Sequence, residues 1–76
     1  MSPAIPAITG KQASGAAERA GFRLDRQKGS HKVYLRDSDK RRVVIPDHAG
    51  KILKRKTLTG IIQDMGLTVD DFIALL

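Results

Sequence analysis

The chain contains no cysteine and no tryptophan, and only one tyrosine and two phenylalanines among 76 residues. Without cysteine there is no disulfide framework, no thiolate zinc site and no thiol nucleophile. That composition suits a reducing compartment, and the cytoplasm is the expected location. No apolar run approaches the roughly 20 residues needed to span a bilayer, so no membrane is expected as a partner. Residues 1–8, Met1-Ser2-Pro3-Ala4-Ile5-Pro6-Ala7-Ile8, lack a basic start and carry prolines where a signal peptide would be helical; they read as an extended arm. No Walker-type glycine loop occurs, and His31 and His48 belong to no metal-ligand spacing, so neither a metal nor a cofactor is expected. A chain this short buries a thin core and reads as one domain over residues 1–76, with a stability on the order of a few kcal/mol.

Acidic residues are also scarce. Eight Asp and Glu stand against fourteen Lys and Arg, a formal charge of +6. Asp64, Asp70 and Asp71 lie near the C-terminus, while the basic residues crowd the stretch from Arg19 to Lys56. An excess of that sign on so small a body favours a polyanionic partner, either a nucleic acid or an acidic protein.

The pattern along the chain predicts three helices and three strands. Thr9-Gly10-Lys11-Gln12 has the form of a capping box. Ala13, Ala16, Ala17 and Ala20 then recur at helical spacing up to Gly21, predicting a helix over residues 10–20. Its apolar stripe is only alanine, so it must either pack very close to a neighbour or gain support from a partner. Phe22 and Leu24 alternate with polar residues, and Lys28-Gly29-Ser30 turns into Val33-Tyr34-Leu35. Asp37-Ser38-Asp39-Lys40 turns into Val43-Val44-Ile45, which Pro46 ends. After a polar, basic loop over residues 47–56, Leu58, Ile61, Ile62 and Met65 mark a second helix closed by Gly66. Thr68 and Asp71 form a second box-like cap, and Val69, Phe72, Ile73 and Leu76 trace the apolar face of a third, short helix. The order is αβββα(α). It implies an α+β fold, a small antiparallel three-stranded sheet with helices packed on one face.

The segment Gln27-Lys28-Gly29-Ser30-His31-Lys32-Val33-Tyr34 carries the chemistry. It sets an imidazole beside two ammonium groups at the mouth of a strand. An imidazole can move a proton near neutral pH, and lysines can hold a phosphate while it does so. Gly29 would let the backbone approach a phosphate closely, and the Gly29 and Ser30 amides could donate to it. Lys28 and Lys32 are read as steadying the phosphate oxygens. His48 is a candidate second acid or base, and Asp47 could hydrogen-bond either imidazole. Lys51, Lys54, Arg55 and Lys56 crowd the start of the second helix, where the dipole is already positive. A bound anion would relieve that conflict, which makes them candidate phosphate contacts. Tyr34 could stack on a base but reads more simply as a strand residue, and Phe22 and Phe72 as core.

The ordered features Ile8-Thr9-Gly10-Lys11, Gly21-Phe22, Arg26 to His31, Val43-Val44-Ile45-Pro46, Leu58 with Ile61-Ile62, and Gly66-Leu67 resemble the HicA-type toxins of HicAB toxin–antitoxin modules. The resemblance covers nearly the whole chain. It implies an αβββα fold similar to the double-stranded-RNA-binding domain and a ribonuclease that cleaves single-stranded messenger RNA. It further implies a HicB-type antitoxin that covers the toxin, and a catalytic histidine at His31. The chain departs from the family in its alanine-filled first helix and in Lys56, where a glycine commonly precedes the threonine of the second helix. The expected function is thus a metal-independent endoribonuclease toxin. A non-catalytic RNA-binding module of the same fold is the alternative, and a domain recognising an acidic protein is a third reading. A heterotetramer of toxin and antitoxin is compatible with the resemblance.

Overall fold

The computed structural model describes residues 4–76, so the first three residues of the expected arm lie outside it. The order of elements is α1 (Gly10–Arg19), β1 (Arg23–Lys28), β2 (His31–Arg36), β3 (Arg41–Pro46), α2 (Arg55–Asp64) and α3 (Val69–Ala74). The three strands form an antiparallel sheet in the order β1-β2-β3. The expected α+β architecture is therefore the observed one.

Both predicted capping boxes form. Thr9 Oγ1 accepts from the Gln12 amide at 3.2 Å, and Gln12 Oε1 accepts from the Thr9 amide at 2.9 Å. Thr68 and Asp71 repeat the exchange at the start of α3. The alanine stripe of α1 resolves itself by close approach, with Ala13, Ala16 and Ala17 fully buried. Gly10 is what permits this. A Cβ there would run into the carbonyl oxygen of Pro46 and sit 2.8 Å from the Cα of Asp47.

The sheet has two unlike faces because alternate side chains leave opposite sides. Tyr34 stands opposite Val43, and Lys32 opposite Ile45, so these four share the face that carries the helices. There Tyr34, Val43 and Ile45 join Leu58, Ile61, Ile62, Met65, Phe22 and Phe72 in one core. His31, Val33 and Leu35 leave the other face.

Both α1 and α2 lie over β3. Every residue of β1 is consequently exposed. The alternation of Phe22 and Leu24 sets both toward the helix-bearing face, but only one of them is covered. Phe22 is buried just before the strand, but Leu24 is 46% exposed. Leu24 stands opposite Tyr34 on the helix-bearing face, but α1 and α2 lie over β3 and leave this edge strand uncovered; the strand bulges only after Leu24, before Arg26. The expected face of α3 is also only partly realised. Phe72 reaches the core and Val69 packs at its border. Ile73 and Leu76 are exposed, and Leu75 packs instead. Six residues make fewer than two turns, so one aromatic anchor sets their orientation.

Arg36 ties the far end together. Its Nη1 donates to the Ala20 carbonyl at 2.7 Å and its Nη2 to the Met65 carbonyl at 3.3 Å, at the C-terminal ends of α1 and α2. The same guanidinium grips Asp39 at 3.0 and 2.8 Å and lies 4.5 Å from the Phe22 ring centroid. At the opposite end, the Ile8 carbonyl accepts from the Leu53 amide at 2.8 Å, which pins the base of the N-terminal arm to the loop before α2. Among the described residues no helix is long and apolar enough to cross a membrane.

Candidate functional site

Two residues turn β1 into β2. Lys28 pairs with His31, leaving Gly29 and Ser30 between them, and Gly29 takes a φ of +59°. Glycine at the first central position of a two-residue hairpin turn meets the backbone requirement there. Gln27 Nε2 donates to the Gly29 carbonyl at 3.0 Å and holds the turn from one side.

His31 opens β2 and is exposed, with Lys28 opposite it in β1 and Pro46 opposite it in β3. Its face of the sheet, away from the helices, forms a shallow groove lined by Arg26, Lys28, His31, Val33, Arg42 and Val44. Three cations from two strands surround one imidazole over an apolar floor, and none of the six residues is acidic. Such a surface attracts an anion and leaves the imidazole within reach of whatever lies on it.

Arg26 and Arg42 were not among the residues singled out from sequence. The signal for Arg26 is strand parity, since it lies two residues from Lys28 and so shares its face. Arg42 gives a similar signal two residues before Val44, but only once the β2–β3 register is known.

Lys32 takes the opposite face. Its Nζ lies 2.8 Å from Asp47 Oδ2, and that hydrogen bond raises the ammonium above its ordinary pKa. The structure therefore brings Lys28 to His31 and carries Lys32 away. Asp47 is committed to Lys32 rather than to an imidazole. Tyr34, on the same side as Lys32, is buried in the core and does not face the groove.

His48 returns to the hairpin. Its Nε2 is 3.3 Å from Ser30 Oγ, and the Asp47 amide donates to the Ser30 carbonyl at 2.7 Å. The Lys51 amide donates to the His48 carbonyl at 2.9 Å, closing the loop on itself. His48 then faces a hollow shared with Pro46, Lys51, Lys54 and Thr57.

The start of α2 has the electrostatic form anticipated. Lys54 is the N-cap, its side chain makes no capping bond, and the first turn carries no acid. The basic cluster divides, however. Lys51 and Lys54 lie toward His48, whereas Arg55 and Lys56 line a separate depression with Thr59, Gly60 and Gln63. Among the described residues, no three His, Cys, Asp or Glu side chains gather as they would to hold a metal ion.

Comparison with curated proteins finds no match. A family model described as the HicA toxin of bacterial toxin–antitoxin matches residues 10–67, a span that contains the whole sheet, the His31 hairpin, α1 and α2. A match over that much of the chain, on a fold with the expected order of elements, means that the chain belongs to the HicA toxin family of bacterial toxin–antitoxin systems.

Proposed function

We propose that this toxin is an endoribonuclease that cuts single-stranded messenger RNA by proton transfer at His31, and that a HicB-type antitoxin silences it. The observation that carries this reading is the exposed imidazole of His31, set among Arg26, Lys28 and Arg42 on the uncovered face of the sheet.

RNA carries its own nucleophile. When a base takes the 2′-hydroxyl proton, the 2′-oxygen bonds to the adjacent phosphorus and the bond to the 5′-oxygen breaks. That oxygen leaves with a proton, and the other product ends in a 2′,3′-cyclic phosphate. The reaction needs a proton acceptor, a donor, and positive charge around the phosphorane-like transition state; it calls for no metal ion. His31 supplies a proton-transfer group, and one such positioned group is worth about a hundredfold to ten-thousandfold. Arg26, Lys28 and Arg42 neutralise the phosphate oxygens, and the Gly29 and Ser30 amides offer further donors. Ser30 orients His48, whose place next to the hairpin suits a secondary role in handling the second proton. Lys51, Lys54, Arg55 and Lys56 hold flanking phosphates at the start of α2. Lys32 supports the site indirectly, through Asp47 and the loop that carries His48.

Membership of the family implies an antitoxin partner. An acidic surface laid over the groove would match its charge and exclude RNA at once.

The mechanism is tested with an RNA oligonucleotide carrying a single 2′-deoxy residue at its cleavage position, incubated with the full chain and a metal chelator. The all-ribose strand should be cut to a 2′,3′-cyclic phosphate end and the substituted strand left whole. Salt-sensitive retention of both strands without cleavage would leave only an RNA-binding module.

A further inference from the structure

The helix-bearing face of the sheet is not fully roofed. Because α1 and α2 both lie over β3, a groove of about 480 Å³ stays open between α1 and β2. Lys11, Ser14, Glu18 and Arg19 line it along one stripe of α1, and Lys32 and Tyr34 of β2 form its floor. It lies on the opposite side of the sheet from His31.

Ser14 is the anomaly in this groove. It is only 6% exposed, yet among the described residues its Oγ has no hydrogen-bond partner. A buried hydroxyl left unbonded is costly, and serine favours a helix interior less than alanine does. The cations beside it keep bonding capacity. Lys32 spends one donor on Asp47, and Arg19 Nη1 donates to the Leu75 carbonyl at 2.9 Å; each retains others. Lys11 makes no ion pair among the described residues. Glu18 is the one acid in the lining and offers an acceptor. The volume falls within the range of about 300–1,000 Å³ in which small ligands are held.

We infer that this groove binds the phosphate of a nucleotide-sized ligand. Ser14 Oγ donates to a phosphate oxygen, Lys11, Arg19 and Lys32 supply the charge, and Glu18 accepts from a sugar hydroxyl. The mixed sign of the wall fits a sugar phosphate better than a bare polyanion. The inference does not depend on RNA cleavage, since it concerns a different face and is read by binding alone.

Tyr34 is the only tyrosine in a chain without tryptophan, so intrinsic fluorescence reports the floor of this groove directly. Ribose 5-phosphate and inorganic phosphate, both transparent at the exciting wavelength, are titrated into the full chain. A saturable change in Tyr34 emission is expected, with ribose 5-phosphate binding more tightly than phosphate. Ser14→Ala removes a hydroxyl that no other described residue uses, so the fold is kept and affinity falls by about tenfold. Lys11→Gln, on the exposed first turn, should weaken binding severalfold, and Glu18→Gln should tighten inorganic phosphate. Competition by a short RNA, lost in Ser14→Ala, would identify the source as an RNA strand; competition by mononucleotides alone would identify free nucleotides. Absence of any saturable response, an unchanged affinity in both Ser14→Ala and Lys11→Gln, or displacement by an acidic peptide but by no phosphate ester would overturn the inference.

Discussion

Lys28 stands directly opposite His31 in the β1–β2 ladder, so that ammonium and imidazole leave the same face of the sheet on either side of a two-residue turn. Lys32, one residue beyond His31, is 2.8 Å from Asp47 on the other face. The charge available to the imidazole therefore comes from across the sheet, through Arg26, Lys28 and Arg42, rather than from its neighbour in sequence.

That arrangement separates two basic regions by experiment. Neutralising Lys28 and Arg42 together should lower the salt dependence of RNA binding by about 1.4 units of logarithmic slope, the value for two single-strand phosphates, and reduce cleavage with it. Neutralising Lys54 and Arg55 should lower the slope by a similar amount and leave cleavage at saturating RNA nearly unchanged. Binding and single-turnover cleavage measured over a salt series distinguish these outcomes.

The close packing of α1 predicts opposite responses at two glycines. Gly10→Ala drives a methyl group into the backbone of Pro46 and Asp47, and should cost about 1–3 kcal/mol. Gly60→Ala, inside α2 with nothing among the described residues within 4 Å of an added Cβ, should stabilise by roughly 0.5–1 kcal/mol. Urea denaturation of the two variants checks both signs.

Asp39 gives the fold an acid-sensitive joint. Its hydrogen bonds with Arg36, aided by the charges of Arg36 and Arg41 and opposed by burial, hold the carboxyl below its ordinary pKa. A carboxylate whose folded value is depressed contributes stability above its unfolded value, about 3.9, and loses it as pH falls through the folded one. Asp39→Asn should therefore lower the melting temperature at pH 7 and flatten its decline below pH 4. Thermal melts from pH 7 to pH 2 measure this directly.

Much of this structure is legible in the sequence. Thr9 with Gln12 and Thr68 with Asp71 announced two helix starts, and Gly21 and Gly66, at φ values of +92° and +74°, announced two ends. These signals are local, so the residues that carry them also satisfy them. What the sequence did not disclose is non-local. The bulge between Leu24 and Arg26 breaks the count of alternate faces along β1, so Arg26 and Lys28 leave the face opposite to Leu24 although the three are spaced by two. The partnership of Lys32 with Asp47, and the approach of His48 to Ser30, depend on how the loop after β3 folds back, which no spacing encodes. Arg36 was invisible as a joint because its partners, Ala20 and Met65, are backbone carbonyls at two helix ends. The family resemblance marks His31 and the spacing from Lys28 marks Arg26, whereas Arg42 joins them only through the β2–β3 register.

The most direct test is cleavage of a purified messenger RNA by the full chain in the presence of a metal chelator, with His31→Ala compared against the parent and His48→Ala as the reference arm. His31 is exposed, so its removal should leave the melting temperature unchanged while cleavage falls by at least about a hundredfold; His48→Ala should lose at most about tenfold. Cleavage by a folded His31→Ala variant at the parent's rate would contradict the account.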